Sequence, residues 1–239
     1  LSEKKINKKL IKHFYLGLSN NYENLETFLK ENSINTQDLL DFGIIRINDY
    51  GKRYDMFTNR IMFPIKDAFD RIIAFGGRRL GKDGPKYINS WENDFFKKRN
   101  ILYNMGCLSS LKERKDNLYL VEGYTDVIAM HSAGLNAVAP LGTSISIDQI
   151  YLAWKYTAEP TLFLDGDLAG IKASNRVLNL VLPELNADKS LKFIFLNNNT
   201  DPEQILNNMG EINELKNILS NKVNFFDALL YLEADIDLN

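Results

Sequence analysis

The sequence reads as an α/β protein: a basic α+β segment over residues 1–117, an α/β domain with a mostly parallel sheet over 118–203, and a helical segment over 204–239. Three observations predict this. From Leu118 onward, apolar runs of strand length alternate with apolar residues at helical spacing, the pattern of right-handed crossovers and a sheet covered on both faces. Upstream, β-rich runs broken by turn residues follow a stretch of helical spacing. Charge divides at the same place: residues 1–117 carry 22 Lys+Arg and 15 Asp+Glu, and 118–239 carry 7 and 16, so the halves bear +7 and −9 although the whole chain bears only −2.

Taken in order, Ile6, Leu10, Ile11 and Phe14, then Leu25, Phe28 and Leu29, then Leu39 and Leu40 predict short helices over residues 1–45. Tyr54–Phe57, Arg60–Ile65 and Arg71–Phe75 read as strands, with Asp67-Ala68-Phe69-Asp70 turning one back on the next. Between Gly76 and Asn100 seven basic residues face three acidic ones, with Tyr87, Trp91, Phe95 and Phe96 interleaved. Such a segment serves either as a solvated face or as a groove for a nucleic-acid strand whose bases stack. Leu118–Val121, Ala137–Ala139, Thr161–Leu164 and Phe193–Leu196 are the strands of the second half. Helices are expected over 126–133, at Ile147–Trp154, over 168–182 before Pro183, and within 203–233. Phe225, Phe226, Leu229, Leu230 and Leu232 form the expected apolar face of the last of these.

Several functions are excluded. One cysteine, Cys107, permits no intrachain disulfide and no Cys-cluster zinc site, and His13 and His131 lack metal-ligand spacing. No apolar run approaches 18 residues and the start has no signal-peptide pattern, so a cytoplasmic protein with no membrane segment is expected. The chain begins with Leu, which reads as a fragment of something longer.

Three predicted strands run directly into acidic residues: Glu122 and Asp126 after the first, Asp165 and Asp167 after the third, Asp201 and Glu203 after the fourth. In a parallel sheet ligands gather beyond the carboxyl ends of the strands, so these six carboxylates meet at one rim. Each motif alone has a plain reading, since Asp-Gly is a common turn and acidic residues cap helices. Three together point to divalent cations, because crowded carboxylates raise one another's pKa and an oxygen-only ligand set favours Mg²⁺ or Mn²⁺. Gly166 leaves no side chain over such a cation. An EF-hand fails at Ala169 and Arg176, and a phosphate loop, a dinucleotide fingerprint and a Ser/His/Asp signature are all lacking.

Glu122-Gly123-Tyr124-Thr125-Asp126-Val127, Asp165-Gly166-Asp167 and Asp201-Pro202-Glu203 resemble the Toprim metal-binding domain of primases, topoisomerases and some repair nucleases. The upstream elements Arg60–Ile65, Phe75–Arg78, Pro85–Ser90 and Leu102–Asn104, with Leu141-Gly142-Thr143, are similar to the RNA polymerase core of bacterial replicative primases. That resemblance spans essentially the whole chain. It implies RNA primer synthesis from ribonucleoside triphosphates on a single-stranded DNA template, using two or more Mg²⁺ or Mn²⁺ ions. It further implies a parent protein with a zinc-binding domain and a helicase-docking region that lie outside this chain, and a monomeric core.

Carried over by position, Glu122, Asp165 and Asp167 are the catalytic carboxylates, and Asp126, Asp201 and Glu203 complete the metal set. The family usually has Asp where Glu203 stands. Arg60, Arg78, Lys86 and Lys98 match positions for template or nucleotide phosphates, while Met56 and Thr58 stand where relatives often have Arg. Glu122 remains open as ligand or general base. Strand cleavage by the same carboxylates and a non-catalytic binding module are the two rival readings.

Overall fold

The computed structural model describes residues 6–111, 117–142, 144–196, 200–208 and 217–236. Packing divides the chain into two compact units, the first Lys8–Lys97 and the second from Lys98 onward together with the segment before Lys8.

In the first unit, helices α1 (Lys8–His13), α2 (Tyr22–Glu31) and α3 (Thr36–Asp41) accompany strands β1 (Gly17–Ser19), β2 (Ile45–Ile47), β3 (Arg53–Asp55), β4 (Arg60–Lys66), β5 (Ile72–Arg79) and β6 (Tyr87–Asn89). Asn21 and Asn35 start α2 and α3 by accepting the backbone N–H groups of Asn24 and Gln37, the ordinary service of an amide side chain at a helix N-terminus. β1, β4, β5 and β6 form an antiparallel sheet, and β2 pairs with β3. The turn expected at 67–70 is held by Asp67, whose Oδ1 accepts N–H groups from Phe69 and Arg71, with Asp70 in the left-handed region at φ 63°. Phe57, Phe63 and Ile65 are fully buried behind this sheet, and the Arg46 guanidinium lies over the Trp91 ring.

The helices expected before residue 45 are accompanied by a strand that periodicity does not show. β1 is three residues long and is held by backbone pairing to β4, Gly17 opposite Met62. β6 lies in the same way within the basic and aromatic stretch between Gly76 and Asn100, paired to β5.

The second unit contains β7 (Leu102–Tyr103), β8 (Tyr119–Leu120), α4 (Tyr124–Ser132), β9 (Ala137–Pro140), α5 (Ile147–Trp154), β10 (Thr161–Phe163), α6 (Leu168–Val181), β11 (Lys192–Ile194), α7 (Pro202–Asn208), β12 (Val223–Asn224) and α8 (Phe225–Ile236). Its sheet runs β12-β11-β10-β8-β9-β7; the four inner strands are parallel and the two edge strands antiparallel. The mostly parallel sheet is therefore as expected, with β7 and β12 added at the edges. β7 also explains why the packing boundary at Lys98 precedes residue 117: Leu102 and Tyr103 pair with Pro140 and Ala139 and so belong to this second sheet.

Leu120, Val138, Leu162 and Phe193 are buried on the sheet, against Ile150 and Trp154 of α5, Leu178 and Val181 of α6, and Phe225 and Leu232 of α8. The Trp154 indole N–H donates to the Ser190 carbonyl (2.7 Å), so burial leaves that donor satisfied. The apolar face expected for the last helix needs correction. Phe225, Ala228 and Leu232 point inward, whereas Phe226 and Leu230 are 63% and 66% exposed. Positions i, i+3 and i+7 share one side of a helix, and i+1 and i+5 fall about 100° and 140° round from i, on the other side.

Candidate metal centre

β8, β10 and β11 are parallel neighbours, so their carboxyl ends open on one edge, and each is followed by the acidic residues singled out above. The backbone there fixes the carboxylates one by one. Glu122 Oε1 accepts the Asp165 N–H (3.0 Å), tying the end of β8 to the end of β10. Asp126 Oδ2 accepts the Gly123 N–H (2.9 Å) at the first turn of α4. Asp167 caps α6 by accepting the Gly170 N–H (2.8 Å), and Asp201 accepts the Gln204 N–H (2.5 Å) ahead of α7. Glu203 Oε1 takes the Asn207 side-chain amide at 3.3 Å.

Two glycines make the close approach possible. A Cβ on Gly166 would stand 2.6 Å from the Leu196 carbonyl oxygen, and one on Gly170 would stand 2.0 Å from the Asp165 carbonyl oxygen and 3.1 Å from Glu122 Oε1. The Gly166 N–H also donates to the Thr200 carbonyl (2.8 Å). To the expected reason for Gly166, clearance above a cation, the structure adds a second: the missing side chain makes room for the backbone that follows β11. Asp167 and Asp201 are locked into neighbouring loops by that contact.

Asp126, Asp201 and Glu203 each offer an oxygen within 4.8 Å of the others. Asp126 and Glu203 are buried, at 7% and 3% exposure. Burial pushes the Asp126 carboxyl well above its ordinary value, and Asp165, Asp201 and Glu203 push it further, against the Gly123 N–H. Glu122 is raised in the same way, by burial first and then by Asp167 and Asp201, against the Asp165 N–H. Oxygens from three carboxylates, two of them buried and Asp201 half-buried, with no nitrogen or sulfur among them, form a donor set that fits a hard divalent cation, which would relieve the repulsion that adds to those raised values.

The basic residues expected at the site divide between the units. Arg78 and Lys86 lie in the first unit at the β5–β6 edge, both over the Tyr87 ring at 5.7 and 5.8 Å from its centroid, and neither has a carboxylate partner among the described residues. Arg60 is buried at 7% exposure and donates from Nη1 to the carbonyls of Gly77 (3.2 Å) and Pro85 (3.0 Å). Its guanidinium holds the segment that carries Lys86. Lys98 belongs to the second unit, where its carbonyl accepts the Gln149 side-chain amide (2.9 Å).

Comparison with known proteins accounts for both units. Residues 1–109 match the model for the N-terminal domain of the DNA primase catalytic core, and residues 116–194 match a Toprim domain model. A solved structure described as the DnaG primase catalytic domain bound to single-stranded DNA is 34% identical, with a TM-score of 0.85, over 97% of this chain and 75% of that one.

The chain belongs to the DnaG primase catalytic-core family.

A DNA primase domain from Pseudomonas aeruginosa is 36% identical at a TM-score of 0.85, over 98% of this chain and 74% of that one. Among curated relatives, the DNA primase of Rickettsia felis is 41% identical over 88% of this chain, which spans 36% of that protein's length. The primase-core model ends at residue 109, within a helical turn (Met105–Ser110) that follows β7, and the Toprim model begins at residue 116, whereas the packing boundary at Lys98 falls before both. Among the described residues no helix is long and apolar enough to cross a membrane. Beside the carboxylates lies a cavity of about 610 Å³ that no sequence motif marks, whose lining includes Glu122, Lys172 and Arg176. The available signal was an i, i+4 basic pair on the helix that Asp167 caps, in a half of the chain otherwise poor in Lys and Arg.

Proposed function

We propose that this chain synthesises RNA primers on single-stranded DNA, joining ribonucleotides by attack of a 3′-hydroxyl on the α-phosphate of an incoming triphosphate with release of pyrophosphate. The observation that carries this reading is the close cluster of Asp126, Asp201 and Glu203, two of them buried, at the carboxyl ends of parallel strands, in a chain of the primase-core family. Cytoplasmic action on a DNA template belongs to the same reading, as does contact with a replicative helicase through a region outside this chain. One of the solved relatives is described as bound to single-stranded DNA.

In this reading Asp126, Asp201 and Glu203 hold one Mg²⁺ or Mn²⁺, and Glu122, Asp165 and Asp167 hold the second set of metal contacts. A divalent cation bound there supplies neutralisation of phosphate charge and a lowered pKa for the attacking hydroxyl. The remaining work falls to the chain. Glu122 is fixed by the Asp165 N–H, which orients it for service either as a metal ligand or as the general base. Asp167 and Asp201 are oriented by backbone N–H groups, so little reordering precedes reaction. Arg78 and Lys86, unpaired at the β5–β6 edge, and Lys98 hold phosphates of the template or nucleotide. Arg60 acts through the Pro85 carbonyl as a positioning residue for Lys86.

The test offers the protein single-stranded DNA, labelled ribonucleotides and Mg²⁺ or Mn²⁺, with supercoiled plasmid alongside. Short template-dependent RNA that disappears in Asp165→Ala is the expected result. Nicking or relaxation of the plasmid without RNA would assign the carboxylates to strand cleavage instead.

A further inference from the structure

The cavity beside Glu122 is walled on one side by α6, which contributes Ala169, Lys172, Ala173 and Arg176, the i, i+3, i+4, i+7 positions of one helix face. Ser144 lies across from it, and Arg176 Nη1 donates to Ser144 Oγ at 2.9 Å, so the guanidinium is held at the wall. Neither Lys172 nor Arg176 has a carboxylate partner among the described residues. Residues 118–239 contain only 7 Lys+Arg, and two of them line this one cavity. Positive charge has been concentrated beside a carboxylate that faces the reaction, and it is left unneutralised by the protein.

The spacing selects the ligand. Lys172 and Arg176 are separated by one helical turn, roughly 6 Å along the axis. That exceeds the step between neighbouring phosphates of one triphosphate and is of the order of one nucleotide step in a strand. The pair leads away from Asp167 at the N-terminus of α6, so a strand lying along it ends at the carboxylates. We propose that Lys172, Arg176 and Ser144 form a phosphate-binding track for the reactant that carries the attacking 3′-hydroxyl. That reactant is the growing primer during extension, or the initiating nucleotide when the first bond is made. The inference rests on the primer-synthesis reading of the site, which assigns this reactant no binding residues of its own.

The test compares wild type with Lys172→Ala, the double variant Lys172→Ala/Arg176→Ala, and Arg176→Lys. Lys172 is exposed and unpaired, so its single variant keeps the fold, and an unchanged unfolding midpoint verifies this. Extension of an RNA primer annealed to a DNA template is measured at saturating nucleotide. The double variant is expected to raise the KM for primer about tenfold, since charge-assisted phosphate contacts are lost. The kcat and the KM for the incoming nucleotide stay within about twofold, and Arg176→Lys recovers most of the loss. A rise confined to the KM of the initiating nucleotide would assign the track to that triphosphate; an unchanged KM for both overturns it.

A second arm needs no catalysis: binding of a labelled RNA oligonucleotide in EDTA, followed as a function of salt. Loss of two single-strand phosphate contacts, at about 0.7 each, makes the slope of log K against log salt shallower by about 1.4. Should the wild type make no RNA, the primer-synthesis reading fails and this arm alone decides the track: a shallower slope keeps it, an unchanged slope removes it.

Discussion

At the carboxylate rim of the second unit like charges are crowded and half-buried or buried, whereas on the β5–β6 edge of the first unit Arg78 and Lys86 lie over the ring of one half-buried tyrosine and meet no carboxylate among the described residues. The contrast separates two ways of preparing to bind phosphate chemistry. A dense buried set of one sign is in tension until a compact counter-charge arrives, and it answers to divalent ions. A dispersed set at the surface is already at ease in water and answers to polyanions and to ionic strength. Catalytic dependence and template affinity should therefore break separately.

The largest expected effect is on synthesis. Asp165→Ala should reduce primer formation at least a hundredfold, a loss of the size seen when a group acting only in the transition state is removed. Template affinity, measured by anisotropy, should stay within about twofold, because a carboxylate contributes no positive charge to the phosphate contacts that hold the template.

Next comes the response to metal. At a hundred times its Kd, Mg²⁺ should add about 2.7 kcal/mol of stability by mass action alone. Asp126→Asn should remove most of that gain and, by relieving repulsion without losing the Gly123 contact, should raise the unfolding midpoint of the metal-free protein. A metal-free midpoint that falls on this substitution would contradict the tension attributed to the rim.

The pH dependence follows from the same groups, with the sign fixed by linkage. Glu122 and Asp126 have raised values in the folded protein, so the folded state holds protons that the unfolded chain has already released. Stability in EDTA is then fullest below the ordinary carboxylate range and declines as pH rises through the raised values. Saturating Mg²⁺ should flatten that decline. Denaturant midpoints at pH 5 and pH 8, with and without metal, measure it.

Smaller effects test the supports of each region. Gly166→Ala places a methyl group against the Leu196 carbonyl and should cost roughly 1–3 kcal/mol in urea unfolding. Lys86→Ala should leave stability unchanged and make the salt slope of single-stranded DNA binding shallower by about 0.7, the share of one phosphate contact.

What could be read from the sequence follows the same division. The strands with continuous apolar runs, such as Leu118–Val121 and Thr161–Leu164, announced themselves, and the acidic residues beyond them fell where a parallel sheet must present them. β1, β6, β7 and β12 did not, because two- and three-residue strands are selected by partners far away in the chain and carry no period of their own. At the rim, residue identities were legible but the second reason for Gly166 was not, since the backbone it approaches arrives thirty positions later with Leu196. Arg60 was legible as a cation, yet its burial against the Gly77 and Pro85 carbonyls depends on the β4–β5 register. In α8 the run of apolar residues was plain, and only the angle at which the helix meets the sheet separates Phe225 from Phe226.

The chain's two tryptophans fall one to each unit: Trp91, 59% exposed beside Arg46, and Trp154, 3% exposed with its N–H on Ser190. Each unit is thereby born with its own optical reporter, one emitting to the red and open to quenchers, the other to the blue and shielded. Intrinsic fluorescence alone can follow the melting of the metal-binding half apart from that of the basic half, with no label attached to either.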